Sequence, residues 1–241
     1  MPNTPEKSEM LTVYDKNMNP IGARTRAEVH ANELLHQTIR LWCISKEDKT
    51  IWFQQRSQDK ALFPGRFDLA ATGHIDPGET PDKAVLRELQ EETGLQLKPD
   101  DLIKAGAIPY PFRRPDGKLD NEFANIYLYM PEKTPCFQTS DEVAGLAAMD
   151  TATYDMFMLD GEPVDITMYQ PNSDKTKPPV KTGTKTVNWD DFCCMNPTEW
   201  NLIKQASMKA YQASQNKTKT RTTSDMPDIN ESKDSTPQPE L

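Results

Sequence analysis

Glu88, Glu91 and Glu92 are the residues in this chain whose type and spacing most directly suggest chemistry. They lie within GHIDPGETPDKAVLRELQEETGL, residues 73–95, with Arg87 immediately before them. On a helix, offsets of three and four residues bring all three carboxylates to one face. That grouping is unfavourable by itself. Like charges so placed cost roughly 0.2–0.5 kcal/mol per pair, and acids in a last helical turn oppose the macrodipole by about 0.3–1 kcal/mol each. A hard divalent cation such as Mg²⁺ or Mn²⁺ reverses the sign, because it favours carboxylate oxygens and keeps coordination positions for water and phosphate. Without such an ion, the same trio is a solvated acidic face.

The element that positions them is predicted as a helix. Thr80 suits the N-cap, Pro81 the first helical position and Gly94 a left-handed stop. Val85, Leu86 and Leu89 give it an apolar side that must pack on something. Ahead of it, Leu11–Asp15 and Ile21–Arg24 read as a strand hairpin around DKNMNPIG. Glu28–Leu35 reads as either short helix or loop. Gln37–Ser45, Thr50–Gln55 and Phe67–Ala71 alternate as strands. Leu102–Phe112 and Phe123–Met130 form two more strands around Pro115-Asp116-Gly117, with Arg113 and Arg114 expected in solvent. Asp141–Phe157 is mixed.

Residues 170–188 lack apolar content and are expected as a long exposed loop. Asn196 and Pro197 should open a helix over 197–213, with Trp200, Ile203, Ala206 and Ala210 on one side. Residues 1–10 read as a flexible N-terminus, 11–212 as the folded domain and 214–241 as a disordered polar tail. Strands interleaved with one central and one late helix indicate an α/β fold, a mixed β-sheet covered on both faces.

Composition narrows the function classes. The chain has 241 residues, 36% of them hydrophobic, and a formal net charge of −9. The pI is near 4.9 and the mean hydropathy −0.76. Such an acidic chain without a basic stripe argues against nucleic acid as the main partner. An acidic protein handling phosphates needs cations at its site. Cys43, Cys136, Cys193 and Cys194 show no zinc spacing and read as reduced thiols. No apolar run approaches the ~18 residues of a membrane span, so a cytoplasmic protein is expected. A homodimer is left open.

Gly73, Glu79, Arg87, Glu88, Leu89, Glu91, Glu92, Gly94 and Leu95 stand at every spacing of the Nudix box. The chain therefore resembles the Nudix hydrolase superfamily. The resemblance implies a Nudix-type α/β/α sandwich and substrates with a diphosphate joined to another group. It implies metals on Glu88, Glu91, Glu92 and the Gly73 carbonyl, with Arg87 orienting the glutamates and Glu79 bracing the loop.

Glu28-Val29-His30, His36, Arg56-Ser57, Lys60, Pro64-Gly65 and Gly73-His74 extend the likeness to the branch that includes isopentenyl-diphosphate isomerases. From that resemblance His30, His36, His74, Asp120 and Glu122 would bind a second metal, although His30 and His36 are spaced slightly differently from the isomerases. The other reading is ordinary hydrogen bonding at the site entrance. Arg56 and Lys60 would grip the terminal phosphate by the same likeness, or else be surface charges. The isomerases place a cysteine just before Gly-His. Here Thr72 stands there, and its hydroxyl cannot exchange protons with carbon near neutral pH. With the glutamate trio intact, this favours hydrolysis.

The expected reaction is attack of water on a phosphorus of a small-molecule diphosphate, such as a nucleoside diphosphate linked to another group. Glu91 or Glu142 is the candidate base; Asp141 and Glu142 could equally open a helix. The alternatives are an isomerase using another acid, a non-catalytic nucleotide-binding protein and an RNA-processing pyrophosphohydrolase, the last disfavoured by the acidic balance.

Overall fold

The computed structural model describes residues 9–224, with side chains described for 9–213. The flexible segment expected over 1–10 falls outside these residues except for Glu9 and Met10, and Met10 already opens a strand. In chain order the elements begin with β1 (Met10–Tyr14), β2 (Pro20–Thr25), α1 (Arg26–Ala31), β3 (His36–Ser45) and β4 (Thr50–Arg56). They continue with β5 (Phe67–Leu69), β6 (Ala71–His74), α2 (Pro81–Thr93), β7 (Leu102–Arg113) and β8 (Leu119–Tyr129). Last come β9 (Val143–Asp150), α3 (Thr151–Asp160), β10 (Val164–Gln170), β11 (Val180–Val187) and α4 (Pro197–Ser224).

The strand β3 is the hub of a mixed sheet. It runs parallel to β8 and antiparallel to β4, β6 and β1. Its pairing with β4 covers only Cys43–Ser45 against Thr50–Trp52. Beyond that the two strands splay, and the chain from Phe67 to His74 fills the wedge, β5 on β4 and β6 on β3. The splay carries Thr72, Gly73 and His74 into the middle of the sheet.

Period-two alternation along β3 decides what each face buries. Ile39 and Leu41 join Ala71, Ile75 and Tyr127 under Ala84, Val85 and Leu89 of α2. Val85 and Leu89 are fully buried, each worth about 1.5–3 kcal/mol. Trp42 points the other way and stacks on Trp200 of α4, 5.2 Å between centroids, and meets Tyr154 of α3 edge-on. Helices therefore cover both faces, as expected.

The α2 boundaries match the sequence reading, with Gly94 left-handed at φ 69°; Thr80 occupies the N-cap position without a side-chain cap bond. The ambiguous segment Glu28–Leu35 divides: its first part lies in α1, which Glu28 and Thr25 start with a reciprocal capping box, and residues 32–35 are turn and connection into β3.

Three expectations are corrected. Residues 170–188 are not a long loop: β10 and β11 form an antiparallel hairpin there, leaving only 171–179 as connection. Alternating threonines (VKTGTKTV) supply β-branched side chains, and an edge strand needs few apolar residues. Arg114 does not face solvent, since its side chain is only 15% exposed. The last helix continues to Ser224 rather than stopping at 213.

The chain divides into two compact units, Met1–Ser207 and Met208–Leu241. Ala210 belongs to the second, and the tail over 225–241 lies outside the described residues. Among the described residues, no helix is long and apolar enough to cross a membrane.

Candidate active site

A cleft of about 670 Å³ opens where β3 and β4 splay. It is lined by Glu88, Glu91 and Glu92 from α2, Thr72, Gly73 and His74 from β6, and Arg56, Lys60 and Glu142 from neighbouring segments. Residues far apart in sequence, including His30, Asp120 and Glu122, line the same cleft.

The glutamates are not equivalent. Glu92 is buried, and its Oε2 accepts from Gln54 Nε2 at 2.8 Å and the Thr72 backbone N–H at 3.1 Å. Both bonds end on one oxygen, so Oε1 stays outside them. Glu88 Oε1 accepts from Arg87 Nη1 at 2.7 Å. Glu91 is the outermost, with a side chain 59% exposed and Arg87 Nη1 at 3.4 Å. Burial, reinforced by the charge of Glu88, pushes the Glu92 carboxyl above its ordinary range. Burial likewise pushes Glu88 up against the opposing pull of Arg87. Two acids brought together in this way, one buried and one partly so, are what a divalent cation relieves.

Arg87 spends most of its guanidinium on the loop before the helix. Its Nε and Nη2 donate to Glu79 at 3.1 and 2.8 Å, and Nη2 also donates to the His74 carbonyl at 3.0 Å. Glu79 in turn accepts from the Asp76 backbone N–H at 3.2 Å. Gly73 leaves the space that the Glu88 carboxylate occupies.

Lys60 and Glu142, separate candidates in sequence, form an ion pair with each other. Glu142 sits in the turn before β9, not at a helix start. Arg56 is also engaged, donating from Nη1 to Asp68 at 3.4 Å and from Nε to the Leu62 carbonyl at 3.2 Å.

The three histidines converge. Their ring centroids lie 5.3–5.4 Å apart. Strand register makes this possible, because His36 of β3 pairs with Glu122 of β8 and Thr38 pairs with His74 of β6. His30 Nε2 and His36 Nε2 each stand 3.6 Å from Asp120 Oδ1, too far for a hydrogen bond. All three of those atoms are buried without a partner.

The outer nitrogens are occupied: His36 Nδ1 lies 3.0 Å from the Leu34 carbonyl, and His74 Nδ1 lies 2.9 Å from Glu9 Oε1. Burial first, then His74, drives His30 down to about 2 and His36 to about 4, so both are neutral imidazoles at ordinary pH. Burial first, then Asp120, raises Glu122 to about 8. The imidazoles and acids form two overlapping groups, His30–His36–His74 and His36–Asp120–Glu122, each with ligand atoms within 4.8 Å of one another. Neutral imidazoles with carboxylates and orphaned lone pairs fit Mn²⁺, Zn²⁺ or Fe²⁺.

Sequence reasoning missed several residues that line the cleft or, like Gln54, brace its glutamates. Arg40 is an isolated charge in the apolar run QTIRLWCIS, and its 6% exposure is explained by Glu199, which accepts from Arg40 Nε at 2.9 Å and from Trp42 Nε1 at 2.8 Å. Gln54 stood out only as a polar residue inside TIWFQQ. Asp68, Cys193 and Cys194 carried no local signal. Cys193 reaches the cleft because its N–H bonds the Phe67 carbonyl at 2.9 Å.

The NUDIX domain family model matches residues 34–168. An uncharacterised Nudix hydrolase of Clostridium acetobutylicum is 31% identical over 213 residues, covering 85% of this chain and all of that protein. An isopentenyl-diphosphate Delta-isomerase of Serratia proteamaculans is 28% identical over 127 residues, covering 53% of this chain and 69% of that one. A Deinococcus radiodurans crystal structure aligns at TM-score 0.48 and 22% identity, covering 64% of this chain and 91% of that one. Nudix enzymes work with divalent metal ions, and five of the box residues here, Gly73, Arg87, Glu88, Glu91 and Glu92, line one cleft. The chain belongs to the Nudix hydrolase family, as a pyrophosphohydrolase.

Proposed function

We propose that the cleft binds a small-molecule diphosphate, such as a nucleoside diphosphate linked to another group, and hydrolyses it with Mg²⁺ or Mn²⁺. Glu88, Glu91, Glu92 and the Gly73 carbonyl would hold the ion. The observation that carries this reading is the grouping of the buried Glu92, held on Thr72, with the partly exposed Glu88, seated against Gly73, in a cleft that also holds Arg26, Arg56 and Lys60. When bound, the ion supplies Lewis-acid polarisation of the phosphoryl oxygens and a lowered pKa for water.

The chain's own groups do the rest. Arg87, fixed by Glu79, holds Glu88 in place through a charge-assisted bond. Lys60 is paired with Glu142. A phosphate oxygen arriving at Lys60 competes for its ammonium and leaves Glu142 unpaired, able to accept a proton. Water then attacks phosphorus, its proton passes to Glu142, and the bridging P–O bond breaks to release the second phosphate fragment. Glu91 is the alternative base within the helix. Arg56 assists at the phosphate by moving from its long contact with Asp68.

The histidine–acid group is proposed as a second metal centre, on the strength of the buried, unpartnered Nε2 atoms of His30 and His36 and Oδ1 of Asp120. It favours the isomerase-like branch as the source of the surrounding shell, while Thr72, which hydrogen-bonds Asp68 at 3.2 Å, speaks against carbon acid–base chemistry. A cytoplasmic setting fits the four free cysteines.

The test is a panel of nucleoside diphosphate derivatives, prenyl diphosphates and dinucleotides with Mg²⁺ or Mn²⁺, scored for phosphate, pyrophosphate and isomer. Metal-dependent phosphate release that Glu92→Gln abolishes is expected. Conversion of isopentenyl diphosphate to its isomer without phosphate release would overturn hydrolysis.

A further inference from the structure

Glu9 lies upstream of the segment matched by the family model, yet its carboxylate touches the histidine cluster. We propose that Glu9 is a positioning residue for a metal at that cluster: it fixes the proton of His74 on Nδ1 and thereby turns the Nε2 lone pair toward His30 and His36. This rests on the reading of the His–acid group as a metal centre.

The geometry is specific. Glu9 Oε1 lies 2.9 Å from His74 Nδ1, and Glu9 Oε2 accepts from Arg26 Nη1 at 2.9 Å. A carboxylate in this arrangement is an acceptor, so the imidazole must donate from Nδ1. Its second nitrogen then has no proton in the neutral ring and is free to coordinate. The same device recurs on His36, whose Nδ1 is paired with the Leu34 carbonyl at 3.0 Å. Two of the three rings thus have Nδ1 occupied, and the Nε2 of His36 is buried without a partner, the pattern that orients metal-binding histidines.

Glu9 is itself held in place. Its backbone carbonyl accepts from the Arg26 N–H at 2.8 Å, which ties the start of β1 to the first turn of α1, the helix that carries His30. One residue therefore links two of the three histidine-bearing segments. A carboxylate serving only as a surface ion-pair partner would have no reason to span Arg26 and a ring whose centroid lies 5.4 and 5.3 Å from those of two further imidazoles.

The experiment uses the full chain as wild type, Glu9→Gln and Glu9→Ala, with thermal melts as the folding control. Cobalt(II) affinity is measured by equilibrium dialysis and the ligand-field spectrum. In metal-free protein labelled with ¹⁵N-histidine, long-range proton–nitrogen correlation reads the tautomer of each ring. His74 should be protonated on Nδ1 in the wild type and a tautomer mixture in Glu9→Ala. Cobalt affinity should fall roughly 10–100-fold in Glu9→Ala and less in Glu9→Gln, whose amide oxygen still accepts. Unchanged affinity and unchanged tautomer in Glu9→Ala would overturn the role of Glu9 while leaving the metal centre standing. A wild type that binds cobalt without a histidine-ligand spectrum would instead remove the metal centre and the inference with it, even if the tautomer shifts.

Discussion

The Glu88 carboxylate lies so close to Gly73 that a β-carbon there would fall 2.2 Å from its carboxyl carbon and 2.3 and 2.7 Å from its oxygens. The missing side chain at residue 73 is therefore a requirement of the site rather than of the backbone turn. Gly73→Ala should push the flexible end of Glu88 out of position and cut kcat by at least about 10-fold, because misplaced ligands are costly to catalysis. Thermal stability should change by less than about 1 kcal/mol, since a side-chain end can move without disturbing the sheet. Steady-state kinetics beside a melting curve separates the two. Collapse of the fold would show that the glycine serves the strand instead.

The contrast within the glutamate trio predicts unequal effects. Glu92 is 5% exposed and anchored by Gln54 and Thr72, whereas Glu91 carries only a 3.4 Å contact to Arg87. Glu92→Gln keeps the shape but not the charge, and should lower kcat by about 100-fold or more while raising the Mn²⁺ concentration needed for half-maximal rate. Gln54→Leu, which removes only the outer bond, should lose less, about 10-fold. Equal activity in wild type and Glu92→Gln would end the glutamate-metal reading.

Lys60 and Glu142 can be separated by a double-mutant cycle. If substrate takes Lys60 from Glu142, Lys60→Met should mainly raise KM, by about 10-fold, and Glu142→Gln should mainly lower kcat. Were the pair only structural, both variants would shift stability and leave the kinetic constants alone.

Above pH 6.5 the metal-free protein should lose stability as pH rises. The Glu122 carboxyl stands at about 8 against an ordinary 4.5, through burial first and Asp120 second, and Glu92 is displaced the same way by burial and Glu88. Between those two values the folded chain keeps protons that the unfolded chain has released, so the unfolding free energy falls with pH. His30 and His36 act in the opposite sense, but only below the ordinary imidazole value of 6.5. Melting temperatures in chelator should therefore drop between pH 6.5 and 8, and Mn²⁺ should flatten the slope. A melting temperature that rises over this window would contradict the buried-acid account.

Arg40 and Glu199 form a buried ion pair with side chains 7% and 1% exposed. Glu199→Gln should cost about 3–5 kcal/mol, because it leaves a buried guanidinium without its counter-charge. The double variant Arg40→Met/Glu199→Leu should recover much of it. Denaturant titration of the wild type and both variants decides, and a double variant no more stable than Glu199→Gln would contradict the unpaired-charge account.

The sequence alone determined the helix and the grouping of its carboxylates. Glu88, Glu91 and Glu92 are brought to one face by helical periodicity, and Pro81 and Gly94 mark its ends, all of which are local effects written within a few residues. It also placed most of the strands, through alternation in runs such as QTIRLWCIS and TIWFQQ. A family resemblance grouped His30, His36, His74 and Asp120, but their spacing does not; the tertiary structure puts them in one space through β3 pairing with β6 on one side and β8 on the other. Only the tertiary structure decided Glu9 on His74, Lys60 on Glu142 and Arg40 on Glu199, contacts between residues separated by 65, 82 and 159 positions. The edge hairpin of β10 and β11 was missed for a related reason: a strand at the border of a sheet can be almost wholly polar, so its pairing leaves little hydrophobic pattern to read. Periodicity reports what a residue's near neighbours impose. Which distant segments meet is fixed by strand register and burial, and a single chain's spacing does not encode either in a form that can be read locally.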